Sequence, residues 1–139
     1  MIYGIGIDLV EVSRFRKWIK DENLILRYFN EKEMSEKKIS EEGDSAEKSD
    51  LSERQLSAMS QHYAVRFAAK EAFSKALGTG LSGFDLRDVY VLKEESGKPY
   101  IALGQSAQKV FDEKCPGARI FLSLSHEKEY AIANVIIEK

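Results

Sequence analysis

From residue 51 to residue 77 the chain carries neither proline nor glycine. Leu56, Met59, Tyr63, Phe67 and Ser74 recur there at helical spacing, with alanines between them. At 1.5 Å per residue this predicts one helix roughly 40 Å long. Ser52 stands where an N-cap is wanted, and Gly78 where a left-handed C-terminal residue is wanted. The glycines of GTGLSG (78–83) then make a flexible turn. A helix of this length needs a partner surface, and the rest of the chain reads mainly as strands.

Residues 2–10 alternate with period two, the signature of a strand. Tyr3, Ile5, Ile7 and Leu9 share one face, expected to meet the core. Gly4, Gly6, Asp8 and Val10 share the other. Two glycines weaken a strand unless something must come close to its backbone. Ser13 is the expected N-cap of a first helix burying Phe15, Trp18 and Ile19. Leu24, Ile25, Leu26, Tyr28 and Phe29 form a second apolar cluster. Asn30 with Glu33 reads as a capping box. Residues 35–54 are rich in Ser, Glu and Lys and read as a solvated, mobile insertion. Residues 89–92 and 100–103 suggest strands about a turn at SGKP. Residues 105–114 suggest a short helix stopped by Pro116 and Gly117. Residues 120–125 and 130–137 suggest two strands joined at HEKE. The sum is one α+β domain over 1–139, a mostly antiparallel sheet packed against a long helix.

A net charge of −2 gives no electrostatic argument for nucleic acid or an anionic membrane. No apolar run approaches the roughly 20 residues of a membrane helix. The single cysteine, Cys115, excludes an intramolecular disulfide, and MIYGIGIDLVEV has no basic leader region, so a cytoplasmic protein is expected.

Asp8 lies in an otherwise apolar strand, where a lone carboxylate is costly unless it is paired, caps a turn or holds a cation. Glu71 falls on or beside the apolar stripe of the long helix, four residues before Lys75. Alone, that spacing describes an ordinary surface ion pair worth about 0.3–0.5 kcal/mol. Together, two carboxylates from different elements suit Mg²⁺, which prefers oxygen ligands and is commonly completed by substrate phosphates. Arg66, Lys70 and Lys75, on the same helix, are candidate phosphate partners, or a solvated basic face. Gly78 and Gly80 can admit a phosphate or a base, or simply end a helix; the P-loop pattern is missing. His126, at a strand end, suits phosphate binding or proton transfer, or is an idle turn residue. His62 reads as structural or solvent-facing. With no Ser–His–Asp, Cys–His or zinc pattern, any nucleophile belongs to the substrate.

GIGIDLVEVSRF, RFAAKEAFSKALGTG and LSLSHEKEYA resemble, in order, the three signature blocks of the holo-acyl-carrier-protein synthases, the small trimeric group of phosphopantetheinyl transferases. FNEKEM and ESGKPYIAL are similar to intervening family segments, and the likeness covers nearly the whole chain except roughly 35–54, which is longer than usual there. The resemblance implies transfer of 4'-phosphopantetheine from coenzyme A to a serine of apo-acyl-carrier protein, in support of fatty acid biosynthesis. It implies Asp8 and Glu71 as magnesium ligands, Lys75 beside the coenzyme A pyrophosphate, and Arg66 and His126 near the nucleotide and its 3'-phosphate. It further implies Gly78 and Gly80 in the loop beside that nucleotide, Arg14 against the acidic helix of the carrier, and a homotrimer with sites at subunit interfaces. Glu71 and His126 are both candidate general bases. A non-catalytic coenzyme A binder and a pyrophosphate hydrolase are the competing readings.

Overall fold

A computed structural model describes residues 1–34 and 51–139. Strand β1 (Ile2–Glu11) leads through a 3₁₀ turn (Val12–Phe15) into helices α1 (Arg16–Lys20) and α2 (Glu22–Tyr28) and a second 3₁₀ turn (Glu31–Glu33). The long helix α3 (Glu53–Leu77) is followed by a 3₁₀ turn (Leu86–Asp88), the hairpin β2 (Val89–Lys93) and β3 (Pro99–Leu103), helix α4 (Gln105–Lys114), and the hairpin β4 (Arg119–His126) and β5 (Tyr130–Glu138). The α+β class and the antiparallel pairing are as expected. The strands form two sheets, β1-β5-β4 and β2-β3.

Helix α3 is set by its ends. The Ser52 hydroxyl accepts from Gln55 N, and the Gln55 side chain accepts from Ser52 N, a reciprocal cap. Gly78 closes it at φ 82°, in the left-handed region. Residues 51–54 therefore belong to this helix start and not to an insertion; 35–50 lie outside the described residues. Ser13 makes no capping bond to the first helix, because the chain enters through a 3₁₀ turn. The Asn30–Glu33 capping box forms.

The two faces of β1 are the reverse of the expectation. Ile5, Ile7 and Leu9 stand more than half exposed, while Gly6, Asp8 and Val10 are buried against α3. The reason is steric. A Cβ on Gly4 would overlap the carbonyl of Ala76, and one on Gly6 would overlap that of Ala72. Strand and helix meet backbone to backbone, and only the glycine face permits that. Beside β1, Ala131, Ala133, Val135 and Ile137 of β5 complete the buried face. A cluster of Phe15, Trp18, Tyr28, Phe29, Tyr63 and Phe67, with neighbouring ring centroids 4.9–6.4 Å apart, fastens the N-terminal helices to α3.

Gly6→Ala is expected to lower stability by at least about 2 kcal/mol, since the backbone of α3 must retreat to admit one methyl group. Denaturant unfolding measures it; a loss under 0.5 kcal/mol would contradict so close an approach.

Candidate active site

The buried face of β1 delivers Asp8 to α3. Its Oδ1 accepts from Lys75 Nζ at 3.1 Å, and Lys75 also donates to the Ile7 carbonyl at 2.9 Å. The Asp8 Oδ2 is buried and, with Glu71 ionised, has no hydrogen-bond donor among the described residues. Glu71, half-buried, comes up beside Asp8. Burial raises its carboxyl pKa most; the negative Asp8 raises it further, as does a hydrogen bond that only a protonated Glu71 can donate to Asp8. Arg14 and Lys75 oppose the shift. The structure thus brings Asp8, Glu71 and Lys75 into one place with Arg14 at its rim. Lys75 reaches the strand carboxylate, where spacing alone suggested a simple pair with Glu71.

These residues fit a divalent cation. A buried carboxylate with one oxygen lacking a donor lies beside a second carboxylate whose proton affinity it raises, and a cation relieves both conditions. No group of three or more His, Cys, Asp or Glu side chains converges among the described residues. Two carboxylates are nonetheless what Mg²⁺ commonly takes when substrate phosphates complete its shell.

Arg66 and His126 belong to a separate cleft of about 980 Å³ between the first half of α3, the end of β2 and the β4–β5 turn. Arg54, Lys93 and Lys128 make it basic. Arg66 donates from Nη1 to the His62 carbonyl at 3.1 Å, while its Nε is buried without a partner among the described residues. His126 Nδ1 lies 2.9 Å from Gln61 Oε1. His62 is structural: its Nε2 lies 2.6 Å from the Glu33 carbonyl, and burial, reinforced by Arg66, lowers its pKa to about 4. Gly78 and Gly80 both have positive φ, at the other end of α3. Arg14 lies over the Phe67 ring at 5.3 Å, so its guanidinium is already oriented at the rim.

Lys70 is the clear correction. Expected as a phosphate partner, it is fully buried and bonded to Glu33 Oε1 at 2.6 Å, to the Leu86 carbonyl at 3.1 Å and to the Val89 carbonyl. Glu33 was legible only as a cap. The available signal was the setting of Lys70 itself, flanked by Phe67, Ala68, Ala69, Ala72 and Phe73.

The profile of the 4'-phosphopantetheinyl transferase superfamily matches residues 4–135. The chain is 48% identical over 138 residues to a holo-[acyl-carrier-protein] synthase of Treponema denticola, across 99% of both chains. It is 41% identical over 145 residues to one of Geobacter sp. strain M21, across 100% of both. In structure it is similar to the holo-[acyl-carrier-protein] synthase of Neisseria meningitidis, with TM-score 0.74, 30% identity and 100% of each chain covered. It is also similar to that of Bacillus anthracis in complex with CoA (3',5'-ADP), with TM-score 0.70 and 31% identity over 99% of this chain and 97% of that one.

Because Glu71 binds a proton more tightly in the folded chain, folding takes up protons, and stability falls as pH rises above the ordinary carboxylate range. Without metal, Glu71→Gln should therefore melt higher than the parent at pH 8, with the gap narrowing towards pH 4. Thermal melts across that range test it, and an equal gap at every pH would contradict the shift.

Proposed function

The chain belongs to the 4'-phosphopantetheinyl transferase superfamily, and we propose that it transfers 4'-phosphopantetheine from coenzyme A to a serine of apo-acyl-carrier protein at a Mg²⁺ site held by Asp8 and Glu71. The observation that carries the site is the buried Asp8 carboxylate, one oxygen of it without a donor, beside Glu71. When bound, the cation neutralises pyrophosphate charge and aligns the phosphates.

The sequence shows no Ser–His–Asp or Cys–His nucleophile pattern, and this transfer needs none. The carrier serine Oγ attacks the phosphorus bearing the pantetheine arm. A new P–O bond forms, the bond to the bridging oxygen breaks, and adenosine 3',5'-bisphosphate leaves with the electron pair. Positioning and charge neutralisation do most of such work. Lys75 stands at the carboxylate pair to offset charge on the leaving group. Glu71, at the carboxylate pair, is the better-placed base for the serine proton. In the same chain, His126 is held against Gln61, ten residues or about 15 Å back along α3. Arg66 and His126 hold nucleotide phosphates in the basic cleft, and Gly78 and Gly80 leave room beside the nucleotide. Arg14, at the rim near Glu71, meets the acidic carrier.

The same layout supports a homotrimer with sites at its interfaces. Gln61, which holds His126, and Gly78 stand seventeen residues apart on α3, about 25 Å. One nucleotide does not span that distance within a chain, so neighbouring copies supply the two parts. The outer face of β1-β5-β4, with Ile5, Ile7, Leu9, Phe121 and Tyr130 exposed, is the apolar surface for such an assembly. A shallow groove of about 220 Å³ lined by Leu9, His126 and Tyr130 joins that face to the cleft. We read residues 1–139 as one domain and the protein as cytoplasmic; no helix among the described residues is long and apolar enough to cross a membrane.

Intact mass spectrometry of apo-acyl-carrier protein, incubated with this protein, coenzyme A and Mg²⁺, should show the gain of one phosphopantetheine, lost with a chelator. Free phosphopantetheine without carrier modification would point to a hydrolase, and binding without chemistry to a coenzyme A module. Asp8→Ala and Glu71→Gln should each lower transfer at least about 100-fold with the fold retained; normal turnover in either would refute the metal assignment. Arg14→Glu should raise the carrier KM about tenfold and leave the coenzyme A KM within about twofold. An unchanged dependence on carrier concentration would remove Arg14 from the docking surface.

A further inference from the structure

The Glu33–Lys70 pair is buried without trace of solvent exposure on either side chain. All three ammonium hydrogens of Lys70 have acceptors, drawn from the Glu31–Glu33 turn, the Leu86–Asp88 turn and the start of β2. Glu33 in turn accepts from Asn30 N at 3.0 Å on Oε1 and from Val91 N at 3.2 Å on Oε2. The network therefore ties the middle of α3 to three segments on the side away from β1. Desolvating two charges costs about what their attraction returns, so a pair like this is weak evidence for stability in itself. What it does supply is direction. Hydrogen bonds act over a narrow range of distance and angle, whereas apolar contact is non-directional.

Direction matters at this point of the helix. Lys70 immediately precedes Glu71. On the opposite side, α3 meets β1 through Ala72, Ala76, Gly4 and Gly6, a smooth contact of small residues. That contact sets how close helix and strand come. Lys75 adds two directional bonds across it, to Asp8 Oδ1 and the Ile7 carbonyl, and a slide of α3 along its axis or a turn about it would carry Glu71 away from Asp8. We infer that the Glu33–Lys70 pair is a positioning device for the reaction: it fixes the rotation and axial register of α3, and so holds the Glu71 carboxylate at the distance from Asp8 that one cation requires. The inference rests on the metal-site reading above. Lys70 and Glu33 do not line the basic cleft, and act on the reaction by holding α3 in place.

The full chain serves for the test. Glu33→Gln/Lys70→Met removes both charges at nearly constant volume. Mn²⁺ bound in the presence of coenzyme A, followed by electron paramagnetic resonance of the free ion, reports the carboxylate pair independently of turnover. A displacement of about 1 Å at a reacting centre can cost up to about 100-fold, so kcat is expected to fall at least about tenfold and Mn²⁺ to bind several-fold more weakly. The circular dichroism should remain that of the parent, and the coenzyme A KM should stay within about threefold, because Arg66 and His126 hold the nucleotide in another cleft. In a folded double variant, kcat and Mn²⁺ affinity within twofold of the parent would overturn the inference.

Glu33→Asp decides the matter if the double variant does not fold. It keeps both charges and shortens the reach by one methylene, so kcat and Mn²⁺ affinity drop together if the pair sets register, and neither moves if it only supports the fold. Asp8→Asn is the control for the underlying reading. If it leaves Mn²⁺ binding intact, the metal assignment has failed, whatever the pair does.

Discussion

The structure depends on one contact between two backbones. Gly4 and Gly6 let β1 lie directly on α3, where any Cβ would intrude on the carbonyls of Ala76 and Ala72. The match is one of repeats. Two residues of strand advance about 6.8 Å and four residues of helix about 6 Å, so a glycine at every second strand position meets an alanine at every fourth helix position. The next residue in the strand series is Asp8, and it descends on the helix near Glu71. The same spacing that seats the strand therefore creates the carboxylate pair. A bulkier residue at Gly6 would strain the fold and part the two acids together.

This contact also explains what the sequence concealed. Period two in residues 2–10 divides the strand correctly into two faces but does not say which one is buried. Ile5, Ile7 and Leu9 outweigh two glycines and an aspartate on any scale of side-chain burial, yet the helix needs an approach that only glycine permits. The long helix, both its caps and the two hairpins were legible, because capping residues and turn residues act locally. Asp8 and Glu71 stood out from their neighbours and from the signature blocks. The Glu33–Lys70 pair did not, since 37 residues separate its members and nothing in FNEKEM points to a buried base. Gln61 as the partner of His126 was hidden for the same reason: proximity across the fold leaves no mark in either segment.

Two carboxylates brought together in a half-buried place are not arranged for stability. Burial and Asp8 both disfavour the ionised Glu71, and one oxygen of Asp8 is left without a donor. Lys75 answers only part of this, through Asp8 Oδ1 and the Ile7 carbonyl. The buried Lys70–Glu33 pair, by contrast, is well matched: Lys70 has three acceptors, and Glu33 accepts from Lys70 and from two backbone N–H groups. Two acids held side by side, with one buried oxygen lacking a donor, are the pattern expected of a site completed by a ligand.

The alternation of β1 ties that site to the surface behind it. Asp8 points inward to α3, and Ile7 and Leu9, its immediate neighbours, point outward into an exposed apolar face. An assembly that covers this face would place a second copy one strand thickness from the carboxylate pair. It would also stiffen the strand that carries Asp8, because Ile7 and Leu9 would lose their freedom. The groove at Leu9, His126 and Tyr130 opens from this face towards the basic cleft, so the covering chain would meet His126 as well. Within one chain the proposed nucleotide-binding residues and the glycine loop stand too far apart for one nucleotide. Across such a junction the far end of one copy and the near end of another come within reach. The apolar face and the divided site would then be two consequences of a single arrangement, in which the strand that carries the proposed ligand Asp8 on one side offers the proposed subunit contact on the other.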